Sequence, residues 1–83
     1  MNPKKLLRSI LRGSRNIRFE AFVGLVQAFG FQLARTDGSH HIFVHPDLPE
    51  LIDLQEFKGQ VKSYQVRQFL KLVERYGLHL ENE

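Results

Sequence analysis

Cysteine is absent from the chain, which excludes a disulfide framework and any thiolate metal site and fits a reducing compartment such as the cytosol. Long apolar runs are missing too: nothing approaches the ~18 consecutive apolar residues of a membrane-spanning helix. The leucines near the start are interrupted by Arg8 and Arg12, which spoils a signal-peptide core. The expectation is a soluble, cytoplasmic protein that engages no membrane. Internal repeats and low-complexity tracts are also lacking. Residues 1–18 hold no acidic side chain but carry Lys4, Lys5, Arg8, Arg12, Arg15 and Arg18, so this segment is +6 within a chain of net +3, and the remainder is −3. A basic arm of this kind attracts nucleic acid or an acidic partner, or simply keeps a helix face solvated. A slightly acidic body argues against phosphate binding over the whole surface.

What is present suits one small domain. Hydrophobic residues are 42% and charged residues 25% of 83, which is ordinary globular usage. A chain of this size buries only about 60% of the surface its unfolded form exposes, so stability should be modest. Asn2-Pro3 reads as a helix N-cap with proline at the first helical position, and Gly13 as its stop. Leu6, Leu7, Ile10 and Leu11 form one stripe of that helix. A helix of ~10 residues is marginal alone, so the stripe must pack on its own domain or a sister subunit. Arg8 and Arg12 should then lie near acidic side chains. A second helix fits residues 19–29, with Phe22, Leu25, Val26 and Phe29 in helical spacing, Gly30 as its cap and Gly24 as a point of close packing.

From Phe31 the period changes to two. Phe31 and Leu33 alternate with smaller or polar residues, Asp37-Gly38 signals a hairpin turn, and a strand resumes over residues 39–45. Pro46 and Pro49 demand a turn, and residues 50–55 give a third strand. Ser63 can cap a last helix running to about Tyr76, with Val66, Phe69, Leu70 and Val73 buried and Gly77 ending it. Three strands joined by tight turns imply an antiparallel meander covered on one face by helices, an α+β sandwich.

Among reactive side chains the histidines stand out: His40, His41 and His45 share one strand, with His79 near the end. Imidazole is the side chain whose unperturbed pKa, about 6.5, suits proton transfer near neutral pH. A metal site does not fit, because His41 and His45 lie roughly 13 Å apart along a strand while His40 points to the other face. Alternation groups His40 with Ile42 and Val44, and His41 with Phe43 and His45. If the aliphatic face is the core, His40 sits at its rim, where a ring can be both oriented and reached; the plainer alternative is a structural histidine bonded to a carbonyl. Lys58, Gly59 and Lys62 precede the last helix, whose free N–H groups favour anions, and so suggest a phosphate contact. Arg67, Lys71 and Arg75 line one helix face, most simply a solvated one. No serine or threonine has a recognisable base and orienting acid, and no nucleotide-cofactor fingerprint is present. No cofactor is expected.

Phe29-Gly30-Phe31, then Gly38-Ser39-His40-His41-Ile42-Phe43-Val44-His45-Pro46-Asp47, the glycine-lysine loop, and Val66-Arg67-Gln68-Phe69-Leu70-Lys71 ahead of Tyr76-Gly77-Leu78 resemble the HicA family of bacterial toxins over about residues 17–79. The resemblance implies a double-stranded-RNA-binding-domain-like fold, cleavage of messenger RNA as an endoribonuclease (mRNA interferase) and neutralisation by a HicB-type antitoxin, and the histidine spacing makes that cleavage metal-independent. It makes the histidine after the Gly-Ser pair, His40, the catalytic residue. Gly38, Ser39, Lys58, Lys62 and Arg35 are then the candidate substrate-binding residues, and a homo-oligomer stays open. Where many members carry Val-Pro-x-His, this chain has Leu54-Gln55-Glu56-Phe57. The expected organisation is a basic helical extension over residues 1–15 ahead of a HicA-like domain over residues 16–83. The rival functions are a non-catalytic RNA-binding module and a protein-binding subunit of the same fold.

Overall fold

The computed structural model describes residues 2–81. Helix α1 spans Pro3–Leu11 and begins as its sequence dictates: the Asn2 side chain accepts hydrogen bonds from the backbone N–H of Lys4 (2.9 Å) and Lys5 (3.2 Å). These satisfy two of the donors a helix start leaves free. Leu6 and Ile10 are buried against helix α2, Phe19–Ala28, so α1 packs on its own domain. The stripe is narrower than the spacing suggests. Leu7 is only partly buried and Leu11, at the helix end, is 67% exposed. Nor do Arg8 and Arg12 find carboxylates: the ion pairs among the described residues lie elsewhere, at Arg35, His40 and Arg75.

Helix α2 buries Phe19, Phe22, Leu25 and Val26, and Phe29 closes it. Gly24 does not serve close packing, since a Cβ there would meet nothing within 4 Å. Gly30 is under two demands: its φ is +98°, and a Cβ would come within 2.9 Å of the His45 ring. Four strands follow in the order β1 (Gln32–Asp37), β2 (His40–Val44), β3 (Ile52–Phe57) and β4 (Gln60–Val61), each antiparallel to the next. The fold is α+β, compatible with the double-stranded-RNA-binding-domain-like architecture, with four strands where the sequence suggested three. The fourth is two residues long, too short for any periodicity to reveal. It folds back through Lys58 (φ +52°) and Gly59 (φ +79°), the paired left-handed residues of a type I′ turn.

Asp37 pairs with His40, so the β1–β2 turn is centred on Gly38-Ser39 rather than on Asp37-Gly38. Gly38 alone of the two has positive φ (+59°), as a type II′ turn requires of its first central residue. Between Leu33 and Arg35 the register slips by one, leaving Ala34 as a bulge. The alternation expected of β1 is lost there, and Leu33 is 48% exposed. The sheet packs through Phe43, Ile52, Leu54 and Val61 against the helices. The core therefore lies on the aromatic face of β2, not on the aliphatic face. His41 and His45 belong to the core side, with rings 5.0 Å from Phe19 and 5.1 Å from Phe31. His40 is on the opposite, open face.

Helix α3, Ser63–Tyr76, ends at Gly77 in the left-handed conformation; at its start Lys62 holds the cap position and no side chain caps it, so Ser63 does not play that part. Its buried contribution is dominated by Phe69, which meets Phe22 (5.4 Å), Phe29 (5.3 Å) and Phe31 (6.0 Å) in edge-to-face geometry. Val66, Leu70 and Val73 are only partly covered. Phe69→Ala is expected to cost about 3–5 kcal/mol in urea unfolding; a loss below about 1 kcal/mol, the range of a surface change, would show that the core does not rest on this ring.

Beyond the core, the Tyr76 hydroxyl donates to Glu50 Oε1 (2.6 Å) and Arg75 Nη1 to Glu50 Oε2 (3.0 Å), tying the end of α3 to the segment entering β3. The Tyr76 hydrogen bond is the main cause holding the Glu50 carboxyl below its ordinary value, and Glu50 in turn holds the Tyr76 hydroxyl above its own. The contact therefore contributes fully between the two ordinary values. It is lost as pH falls through the lowered Glu50 value or rises through the raised Tyr76 value. In a spectrophotometric titration one of the two tyrosines should ionise late, and Glu50→Gln should bring it back toward the other.

Candidate active site

The open face of the sheet is organised by register. Across β2 and β3, His40 lies opposite Gln55 and Ile42 opposite Asp53, which puts Asp53 on the diagonal from His40. His40 Nδ1 stands 3.1 and 3.0 Å from the two oxygens of Asp53, with the two side chains 48% and 44% exposed. A carboxylate can only accept, so Nδ1 carries the hydrogen and donates it. The neutral ring then keeps its lone pair on Nε2, which has no protein partner among the described residues. This is the arrangement in which a carboxylate sets the tautomer of a general base and stabilises the imidazolium that forms.

Gln55, the register partner of His40, ties Ser39 to Lys62. Its Nε2 donates to Ser39 Oγ (3.0 Å), and its Oε1 accepts from Lys62 Nζ (3.2 Å). Its backbone N–H donates to Oε1 of Gln65 (3.3 Å), itself only 3% exposed on α3. Beyond Gln55 on the same face, Phe57 is 56% exposed, with Lys58 Nζ 5.4 Å and Lys62 Nζ 5.7 Å from its ring centroid. Both ammonium groups are thus held near the strand by the π face. Of the residues singled out in the sequence, His40 is paired with Asp53, Ser39 and Lys62 are joined to each other through Gln55, and Lys58 and Lys62 both stand over Phe57. Gly38 contributes backbone shape. Arg35 lies opposite Ile42, hence on the same face, but its Nε is 3.3 Å from Asp37 Oδ2, so a carboxylate already occupies the guanidinium.

His41 and His45 do structural work. His41 Nδ1 bonds the Ser39 carbonyl (3.1 Å), and His45 Nδ1 accepts the Asp47 N–H (3.1 Å). Among the described residues no three His, Asp or Glu side chains are placed to hold a metal ion, and no helix is long and apolar enough to cross a membrane. Asp53, Gln55 and Phe57 were not among the site residues the sequence offered. Alternation of Ile52, Asp53 and Leu54 does put Asp53 opposite the core. Which histidine it faces depends on a register set by the irregular loop of residues 45–51, which no local pattern encodes.

No curated protein and no solved structure matched the chain. One protein-family model does, described as the HicA toxin of bacterial toxin-antitoxin, over residues 19–75. That stretch runs from the start of α2 to the end of α3 and holds every residue of the constellation on the open face, while α1 and the segment after it fall outside. With more than half of its length matched, the chain belongs to the HicA family of toxins of bacterial toxin-antitoxin systems.

Proposed function

We propose that this toxin is a metal-independent endoribonuclease of messenger RNA, with His40 as its catalytic residue. The observation that carries the reading is the Asp53-held Nδ1 of His40, which leaves Nε2 with its lone pair on an accessible face that also carries Phe57 with Lys58 and Lys62 over its ring. In the step this supports, Nε2 takes the proton of a ribose 2′-hydroxyl. The 2′-oxygen bonds to the adjacent phosphorus, the bond to the 5′-oxygen breaks, and that oxygen takes a proton from water. The products are a cyclic phosphate and a 5′-hydroxyl. Asp53 is the positioning residue: its charge offsets the imidazolium. Lys58 and Lys62 contribute positive charge at the phosphate, and Arg35 stands in reserve behind its pair with Asp37. The Phe57 ring offers a stacking surface for a base, the usual way single-stranded RNA is held open. Gly38 and Ser39 keep the turn that presents His40.

A toxin of this class has an antitoxin partner, which we take to be HicB-type, and messenger RNA places the activity in the cytoplasm. General acid–base assistance is typically worth 10²–10⁴-fold, so one imidazole makes a slow enzyme, which is sufficient to arrest growth. Expression of the chain is expected to stop growth and deplete messenger RNA. His40→Ala should abolish both at equal protein level and lower cleavage in vitro by about 10²–10⁴-fold. Asp53→Asn should lower kcat with little change in KM. Equal toxicity of His40→Ala and the parent would remove His40 from the chemistry. RNA binding by the parent without any cleavage would favour the non-catalytic module. Cleavage should also persist in excess chelator; loss on chelation with recovery on added magnesium or zinc would overturn the metal-independent step.

A further inference from the structure

The residues before the family-matched region build a second basic feature. A cleft of about 720 Å³ opens between α1 and α2, lined among others by Ser9, Ser14, Arg15, Asn16 and Arg18. A second concavity of about 350 Å³ is lined by Lys5, Arg8, Ser9, Arg12 and Ser14. The two share Ser9 and Ser14, whose hydroxyls are hydrogen-bonded to each other, so they adjoin and together make a basic trough. Lys5, Arg8, Arg12, Arg15 and Arg18 are all exposed, and none takes part in an ion pair among the described residues. Glu20 is the only acid along its walls.

We infer that this trough binds the phosphate backbone of single-stranded RNA and feeds the strand toward His40. Four features favour this occupant. The apolar side of α1 is already used against α2, so its cationic side is what remains to face a ligand. Four of the five cations are arginines, whose planar forks suit phosphate oxygens. The walls carry cations, hydroxyls, an amide and the aliphatic Leu6, Ile17 and Ala21 but no aromatic side chain, whereas protein interfaces rely on aromatic anchors. Finally, the trough ends at the β4 edge of the sheet, next to the turn that carries Lys58. Arg18 bridges to Gln60, the Phe19 N–H donates to the Gly59 carbonyl (2.9 Å), and the Val61 N–H to the Ile17 carbonyl (3.0 Å). The far end of the trough is thus bonded to the turn that carries Lys58.

The inference rests on the reading of the chain as an RNA-directed toxin, but it is tested through binding rather than cleavage. Anisotropy of a labelled uridine homopolymer is titrated across a salt series in the His40→Ala background, with and without Arg12→Gln plus Arg15→Gln. Each phosphate contact to a single strand adds about 0.7 to the slope of log K against log salt, so the paired change should lower the slope by about 1.4 and weaken binding several-fold. Lys5→Gln plus Arg8→Gln repeats the test on the other wall, and thermal melts of both pairs should match the parent because the side chains are exposed. In the active protein, cleavage of a long RNA should show a raised KM with kcat unchanged, while a trinucleotide too short to reach the trough is cut as before. An unchanged slope in both pairs overturns the inference even if the chain is a nuclease. Loss of binding to a polyglutamate peptide with RNA binding intact also overturns it, assigning the trough to an acidic protein. A chain that cuts nothing yet loses RNA affinity on these changes sinks the nuclease reading and supports this one.

Discussion

The Phe69 ring is the contact on which the rest of this molecule hangs. It meets aromatic rings from the beginning and end of α2 and from the residue leading into β1, so one side chain brings together elements far apart in sequence. Edge-to-face pairs of this kind add about 0.5–1.5 kcal/mol each beyond area burial. What depends on it extends to the open face. Docking of α3 carries Gln65 beneath β3, where it accepts the Gln55 N–H, and Gln55 holds both Ser39 and Lys62. The polar constellation is therefore positioned by an apolar contact on the other side of the sheet.

How much of this was written legibly in the chain differs by element. Helix α3 was readable because its apolar period runs for three turns to a glycine, and α1 because Asn2-Pro3 is an unambiguous start. The Leu11 side chain was misjudged because a stripe gives the width of an apolar face, not the width of the surface that meets it. The condition set on β2, an aliphatic core face, fails for a related reason. Ile42 and Phe43 are both buried, Ile42 under its neighbours on the open face and Phe43 in the core, and composition alone does not distinguish the two kinds of cover. Placing His40 next to a Gly-Ser turn at an accessible position survived this error, since the turn and not the face decides its accessibility.

The acids around β3 have partners within the domain. Glu50 is spent on Tyr76 and Arg75, and Asp53 on His40. A carboxylate so close to an imidazole lowers local affinity for phosphate slightly, since exposed charges are screened within about a Debye length. In exchange it holds the ring. The division of charge noted in the sequence then has a spatial meaning: acids orient groups within the domain, and unpaired cations gather on the segment before it.

The bulge at Ala34 also bears on solubility. Strand β1 is the long outer strand of the sheet, exposed along its whole length, and such an edge offers unpaired amides and carbonyls to any other extended chain. The extra residue puts the two halves of the edge out of phase, and the ion pair of Arg35 with Asp37 adds charge to one of them. An incoming strand can match only a few residues before its ladder fails. The same irregularity that spoils the alternation of β1 thus guards copies of the chain against stacking edge to edge.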